Sequence, residues 1–139
     1  MRFLLDTCTV SELVKPRPDA GVVAWMQDQP DETLCLSAVT VAELTRGVRK
    51  LPNGKRRRGL ERWLAEQIIG VFADRILAFD HLVGDTWAEI VVESEASGRL
   101  LSILDSLIAA TAQHHGLTLV TRNERNMPAS VAVLNPWSR

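Results

Sequence analysis

Short apolar runs alternate with stretches of helical period along this chain. Phe3-Leu4-Leu5 is apolar at successive positions and stops at Asp6, the pattern of a strand buried on both faces. Leu34-Cys35-Leu36, Ile76-Leu77-Ala78-Phe79, Leu117-Thr118-Leu119-Val120 and Val131-Ala132-Val133-Leu134 repeat it. A short helix is predicted over Val10–Leu13, ending before Pro16-Arg17-Pro18, where proline blocks further helix. Asp19 is placed to cap a second helix over Val22–Gln29, closed by Pro30. Val41, Leu44, Val48 and Leu51 share one helical face up to the break at Pro52-Asn53-Gly54. Leu60, Trp63, Leu64, Gln67, Ile68, Val71 and Phe72 predict one continuous inner stripe on the next helix. Two more helices follow: one carries Val83, Trp87, Ile90 and Val91 as far as Ser97-Gly98, the other runs from about Leu104 to His115 with Gly116 as its C-cap.

Strands separated by helices, with connections too long for hairpins, predict an α/β fold with a mainly parallel sheet of about five strands. No repeat or linker-like tract divides the chain, so residues 1–139 read as a single domain. Sixteen basic and seventeen acidic residues give a net charge of −1, and 46% of the residues are hydrophobic. That composition excludes disorder and argues against coating nucleic acid by bulk attraction. Cys8 and Cys35 fit neither a disulfide framework nor zinc spacing. No apolar run approaches the ~18–20 residues of a membrane span, and Asp6 interrupts the N-terminus too early for a secretory signal, so the expected location is the cytoplasm.

In parallel α/β sheets, ligands gather beyond the carboxyl ends of the strands. Asp6 stands there directly, although an Asp after a strand also serves as a cap. Glu43 lies one position off the Val41, Leu44 and Val48 stripe, on the flank of its helix, with Gly47 one turn later. Asp105 falls in the first turn of a helix continuing Leu107-Ile108-Ala109-Ala110-Thr111-Ala112. The helix dipole alone would favour an acid there, and the small residues predict tight packing against the sheet. Carboxylates brought together need a cation. Their hard oxygens suit Mg²⁺ or Mn²⁺, ions that work on phosphate esters.

Several segments are similar to those of PIN-domain ribonucleases. They are Leu4-Leu5-Asp6-Thr7, Ser11-Glu12-Leu13, Leu36-Ser37-Ala38-Val39-Thr40-Val41-Ala42-Glu43-Leu44, Asp105 to Ala112, Leu119-Val120-Thr121-Arg122-Asn123, and Leu134-Asn135-Pro136-Trp137. In order and spacing the chain resembles the VapC/FitB-like toxins of type II toxin–antitoxin systems. The resemblance implies a five-stranded parallel sheet and metal-dependent endonucleolytic cleavage of RNA. It also implies inhibition by a cognate antitoxin and assembly as a homodimer or higher oligomer. Carried over by position, Asp6, Glu43 and Asp105 would be the catalytic carboxylates holding Mg²⁺ or Mn²⁺. Two departures stand out. The resemblance implies a fourth carboxylate in the segment after Thr121, commonly three residues beyond Asn123; that place is Asn126 here, leaving Asn123 as a candidate contact to the metal or a water. Cys8 replaces the Asn or Ser usual beside the first Asp.

Arg46, Arg49, Lys50, Lys55, Arg56, Arg57, Arg58 and Arg62 form the densest charge cluster. Such a run is a solvated helix face or a set of phosphate contacts; Arg46, Lys55, Arg56, Arg57 and Arg58 are taken as the candidates. His114 and His115 read as partners of the helix C-terminus. Trp25, Trp63 and Trp87 fall on inner faces, and the helices around Trp25 and Trp63 are expected to contribute to a dimer face and an antitoxin groove. Two other readings share these features: a catalytically weak PIN-like protein that binds RNA or antitoxin, and a nuclease directed at DNA.

Overall fold

The computed structural model describes residues 1–99 and 101–137. The first strand, β1 (Phe3–Leu5), enters α1 (Thr7–Glu12), and α2 (Ala20–Asp28) leads back to β2 (Leu34–Ser37). The next helices are α3 (Ala38–Arg49) and α4 (Lys55–Trp63). Then come β3 (Ile76–Leu77), α5 (His81–Ala96), α6 (Ile103–His114), β4 (Thr118–Val120) and β5 (Val133–Leu134). The strands form one sheet in the order β3-β2-β1-β4-β5. Every pairing is parallel, as the alternation of strands and helices predicts.

β1 is central, and the chain builds outward from it first on one side, then on the other. That places the switch of strand order, where such sheets open a crevice, between β1 and β4. Leu5 lies level with Leu36 of β2 and with Val120 of β4. Asp6, the start of α3 and Thr121 therefore emerge at one height.

Alternation along β1 sends Phe3 and Leu5 to one face and Leu4 to the other. Phe3 and Leu5 join Leu36, Leu44, Ile68 and Phe72 in a core under α3 and the helix that follows it. Leu4 joins Cys35, Ile108, Ala109, Ala112 and Leu119 under α6. Ala109, Ala110 and Ala112 are fully buried, so α6 lies close against the sheet, as its small residues predict.

Caps explain where the helices begin. Asp19 accepts from the amides of Gly21 and Val22, and Asp80 accepts from Val83, relieving unpaired N–H groups of each first turn. Gly98 and Gly116 adopt φ values of 74° and 64°, the left-handed conformation that glycine takes without steric cost beyond a helix end.

Three expectations shift. α4 does not continue as an α-helix through Phe72 but widens into a π-helical segment, Leu64–Gly70. The extra residue per turn rotates the stripe: Leu64, Ile68 and Phe72 stay buried while Gln67 and Val71 face solvent. β3 ends at Leu77, and Phe79 packs toward α5 instead. β5 is only Val133–Leu134, because the amide of Val131 is turned back onto the Pro128 carbonyl.

Candidate functional site

α1 begins at Thr7, earlier than its apolar residues predict, because Asp6 is its N-cap. Asp6 Oδ1 accepts from the Thr9 amide at 2.9 Å and lies 2.8 Å from the Thr9 hydroxyl. The Asp6 amide donates to the Val120 carbonyl. The residue is only 4% exposed. Burial raises its carboxyl above the ordinary aspartate value; hydrogen bonds from Thr121 and Thr9 oppose the shift, and the charge of Asp105 adds to it.

Glu43 is half-buried on the flank of α3. Its Oε1 accepts from the Thr7 hydroxyl at 2.7 Å, which ties α3 to the first turn of α1. Asp105 occupies the first turn of α6, whose cap Ser102 accepts from the Asp105 amide. Asp105 Oδ2 accepts from Asn123 Nδ2 at 3.3 Å, and Asn123 Oδ1 accepts from Asn126 Nδ2 at 3.0 Å. The Asn123 amide is thus engaged at both ends. Its Nδ2 holds Asp105, and its oxygen, with one hydrogen bond from exposed Asn126, retains acceptor capacity for a water or metal.

Asp6, Glu43 and Asp105 line one pocket of about 380 Å³, together with Cys8, Lys15 and Arg122. The Cys8 thiol registers all three acids: partial burial, then the charges of Asp6, Asp105 and Glu43, push its pKa up to about 11. The thiol is therefore held in its protonated form beside the acids, and the carboxylates are the pocket's hard oxygen donors. Among the described residues, no group of three His, Cys, Asp or Glu side chains is gathered tightly enough to enclose an ion alone. Mg²⁺ keeps several waters and takes one or two carboxylates, so two of these acids with water match its preference.

Lys15 and Arg122 are pocket residues that sequence reasoning missed. Lys15 pairs with buried Glu12 at 2.8 Å, and Glu12 Oε2 accepts from the Asp19 amide at 2.9 Å. The Lys15 contact, then that amide, holds the Glu12 carboxyl below its ordinary value. The i,i+3 spacing of opposite charges was the available signal.

The basic run divides. Lys55 and Arg56 line a groove with Ser11, Lys15 and Leu60, and Arg56 also borders a smaller cavity containing Glu43 and Gly47. Beyond its own helix backbone and chain neighbours, no atom of the described residues comes within 4 Å of where a Gly47 side chain would stand, so this glycine leaves open space there. Arg57 is spent on structure, donating to the Leu51 carbonyl and to Asn53 and pairing with Glu61. These contacts hold the turn before α4. Arg46 and Arg58 are exposed on α3 and α4. Arg46 sits in the last turn of α3, where a cation complements the carbonyl end.

Trp25 and Trp63 also turn inward. Both pack on the core of the α3 face, and Trp25 meets Phe3 edge-on at 4.9 Å. Exposed apolar side chains include Ile69 and Val71 just beyond α4, and Leu82, Val92, Ile103 and Leu104 on α5 and α6. No helix among the described residues is long and apolar enough to cross a membrane.

The PIN domain family profile matches residues 3–132. The chain is similar to Toxin FitB of Neisseria gonorrhoeae, with 44% identity over 136 residues, covering 97% of this chain and 98% of that protein. It is 39% identical over 136 residues to VapC ribonuclease Y4jK of Sinorhizobium fredii, covering 97% of each. A solved structure of FitAB bound to an IR36 DNA fragment matches with a TM-score of 0.94 and 40% identity, covering 99% of this chain and 96% of that one.

Proposed function

The chain belongs to the PIN-domain family, and on that premise we propose that it is an endoribonuclease acting as the toxin of a type II toxin–antitoxin pair. The carrying observation is the convergence of Asp6, Glu43 and Asp105 on one pocket at the carboxyl end of the sheet. Similarity to a FitB toxin and a VapC ribonuclease supports RNA as substrate and a cognate antitoxin as partner. Asp6, Asp105 and Glu43 would supply the carboxylates that, together with water, hold Mg²⁺ or Mn²⁺. When bound, such an ion supplies a water of lowered pKa and neutralises charge building on phosphate.

The chain's own contribution is placement. Thr9 fixes Asp6, Thr7 fixes Glu43, and Asn123 fixes Asp105. Lys15 and Arg122 bring positive charge to the rim, where a phosphodiester would rest. The enzyme works in the cytoplasm, with Cys8 and Cys35 as free thiols. A second copy would cover the apolar surface around Ile103, which is 71% exposed.

The test is cleavage of single-stranded RNA with Mg²⁺, with Mn²⁺ and with chelator, by the unaltered chain and by Asp6→Asn and Asp105→Asn. Metal-dependent cleavage lost in both folded variants is expected; equal activity in them would sink the reading. A second reading, binding without cutting, draws on the uncharged amides Asn123 and Asn126 in the segment where the family resemblance implies a fourth carboxylate. RNA retention with no cleavage under any metal would favour it.

A further inference from the structure

We propose that the groove beside the carboxylate pocket is a nucleobase subsite, taking one unpaired base of an RNA strand on the guanidinium face of Arg122. This rests on the nuclease reading above and extends it from the bond that is cut to the nucleotide beside it.

Arg122 follows Thr121 at the exit of β4 and lines two cavities at once: the carboxylate pocket and a neighbouring groove of about 720 Å³. The groove's lining includes Asp19, Glu124, Arg125, Asn135 and Trp137, and its volume suits a nucleoside. A strand with its phosphate in the pocket would pass Arg122 on its way into the groove.

Arg122 is prepared for stacking. Its Cζ stands 5.7 Å over the Trp137 ring centroid, a cation–π distance at which the indole backs the guanidinium. Trp137 is only 9% exposed, which leaves the guanidinium as the surface on offer. Among the described residues Arg122 has no carboxylate within ion-pair distance, and it is exposed. Unstacked RNA bases pack on such planes.

The groove's charge favours a base over a phosphate. Asp19 and Glu124 offset Arg122 and Arg125, whereas a phosphate seat needs an excess of cations. A base edge needs donors and acceptors in fixed places. Asn135 does the fixing: its Nδ2 donates to Glu124 Oε1 at 3.4 Å and its Oδ1 accepts from the Trp137 amide at 3.0 Å. Glu124 is thereby oriented to receive an exocyclic amino group.

The experiment uses an RNA oligonucleotide whose cleavage site is mapped first. Abasic sites are then substituted one position at a time, and cleavage is followed for the unaltered chain and for Arg122→Lys, which keeps the charge and loses the plane. In parallel, 2-aminopurine at each position reports, by a change of fluorescence on binding in chelator, which base leaves its neighbours for the protein, independently of cleavage. One position beside the cut should show roughly a tenfold loss of kcat/KM when abasic, with the fluorescence change at that same position. Both signals should vanish in Arg122→Lys. A loss that is uniform along the strand, or that survives Arg122→Lys, overturns the subsite and leaves Arg122 as a phosphate contact. Failure of the unaltered chain to bind or cut RNA overturns the nuclease reading and the subsite together.

Discussion

The two walls of the carboxylate pocket are built differently. On the β1, α1 and α3 side, Asp6 is buried and Glu43 half-buried, and their threonine partners stand at 2.7 to 2.9 Å. On the side of α6 and the loop after β4, Asp105 is held by an amide pair at 3.3 and 3.0 Å, with exposed Asn126 at its end. The first wall comes with the fold, because Asp6 caps a helix and its amide continues the β1–β4 ladder. The second rests on α6, itself pressed onto the sheet, but its carboxylate is oriented by side chains of the loop after β4. Charge placement is therefore rigid on one side of the pocket and adjustable on the other.

Replacing an acid tests neither wall against the other, since Asp6→Asn and Asp105→Asn should each cost more than the ~100-fold typical of outer partners. The partners themselves discriminate. Thr7→Val should reduce kcat roughly 10–100-fold with little change in melting temperature. Asn126→Ala, which releases only the outer end of the amide pair, should cost less than about tenfold. Equal losses in these two variants would erase the distinction between the walls.

Asn123→Asp sharpens the contrast from the other direction. It sets a second carboxylate beside Asp105, and like charges in contact repel. The metal-free protein should lose about 1 kcal/mol in urea unfolding, while Mn²⁺ raises its melting temperature more than it does for the unaltered chain. A melting temperature blind to metal in both proteins would count against the ion.

The basic rim comes next in size. Lys55→Ala and Arg56→Ala should each lower the slope of log affinity for RNA against log salt by about one. Arg57→Ala should leave that slope nearly unchanged and show its effect in thermal unfolding instead.

The smallest effect concerns the Glu12 strut behind the rigid wall. Its carboxyl sits below the ordinary glutamate value because of Lys15 and then the Asp19 amide. A depressed carboxyl contributes stability that is present above its unfolded pKa and is lost as pH falls through the folded value. Glu12→Gln should therefore lower the melting temperature near neutrality and narrow the gap to the unaltered chain in acid. A gap independent of pH would show that the strut does not act through its charge.

Much of the rigid wall was legible in the sequence, since Asp6 ends an apolar run and that run admits few alternatives. Asp105 was legible because Ala109, Ala110 and Ala112 announce a helix pressed onto the sheet. Lys15 and Arg122 were not, for they reach the pocket from a helix end and a loop whose directions depend on tertiary contacts. The role of Arg57 was hidden for a related reason: in a run of like residues, period alone does not say which one turns back onto its own turn. The widened segment Leu64–Gly70 was invisible because its apolar spacing also satisfies an ordinary helix.

The level alignment of Leu5 with Leu36 and Val120 bears on how this protein can vary over evolutionary time. One residue added within β1, β2 or β4 would move the following group by about 3.3 Å and turn it to the opposite face. Residues added in the connections around Pro16 or Gly98 would leave all three acids where they are. Changes in length should accumulate at those connections among relatives, while the number of residues from Phe3 to Asp6 stays constant.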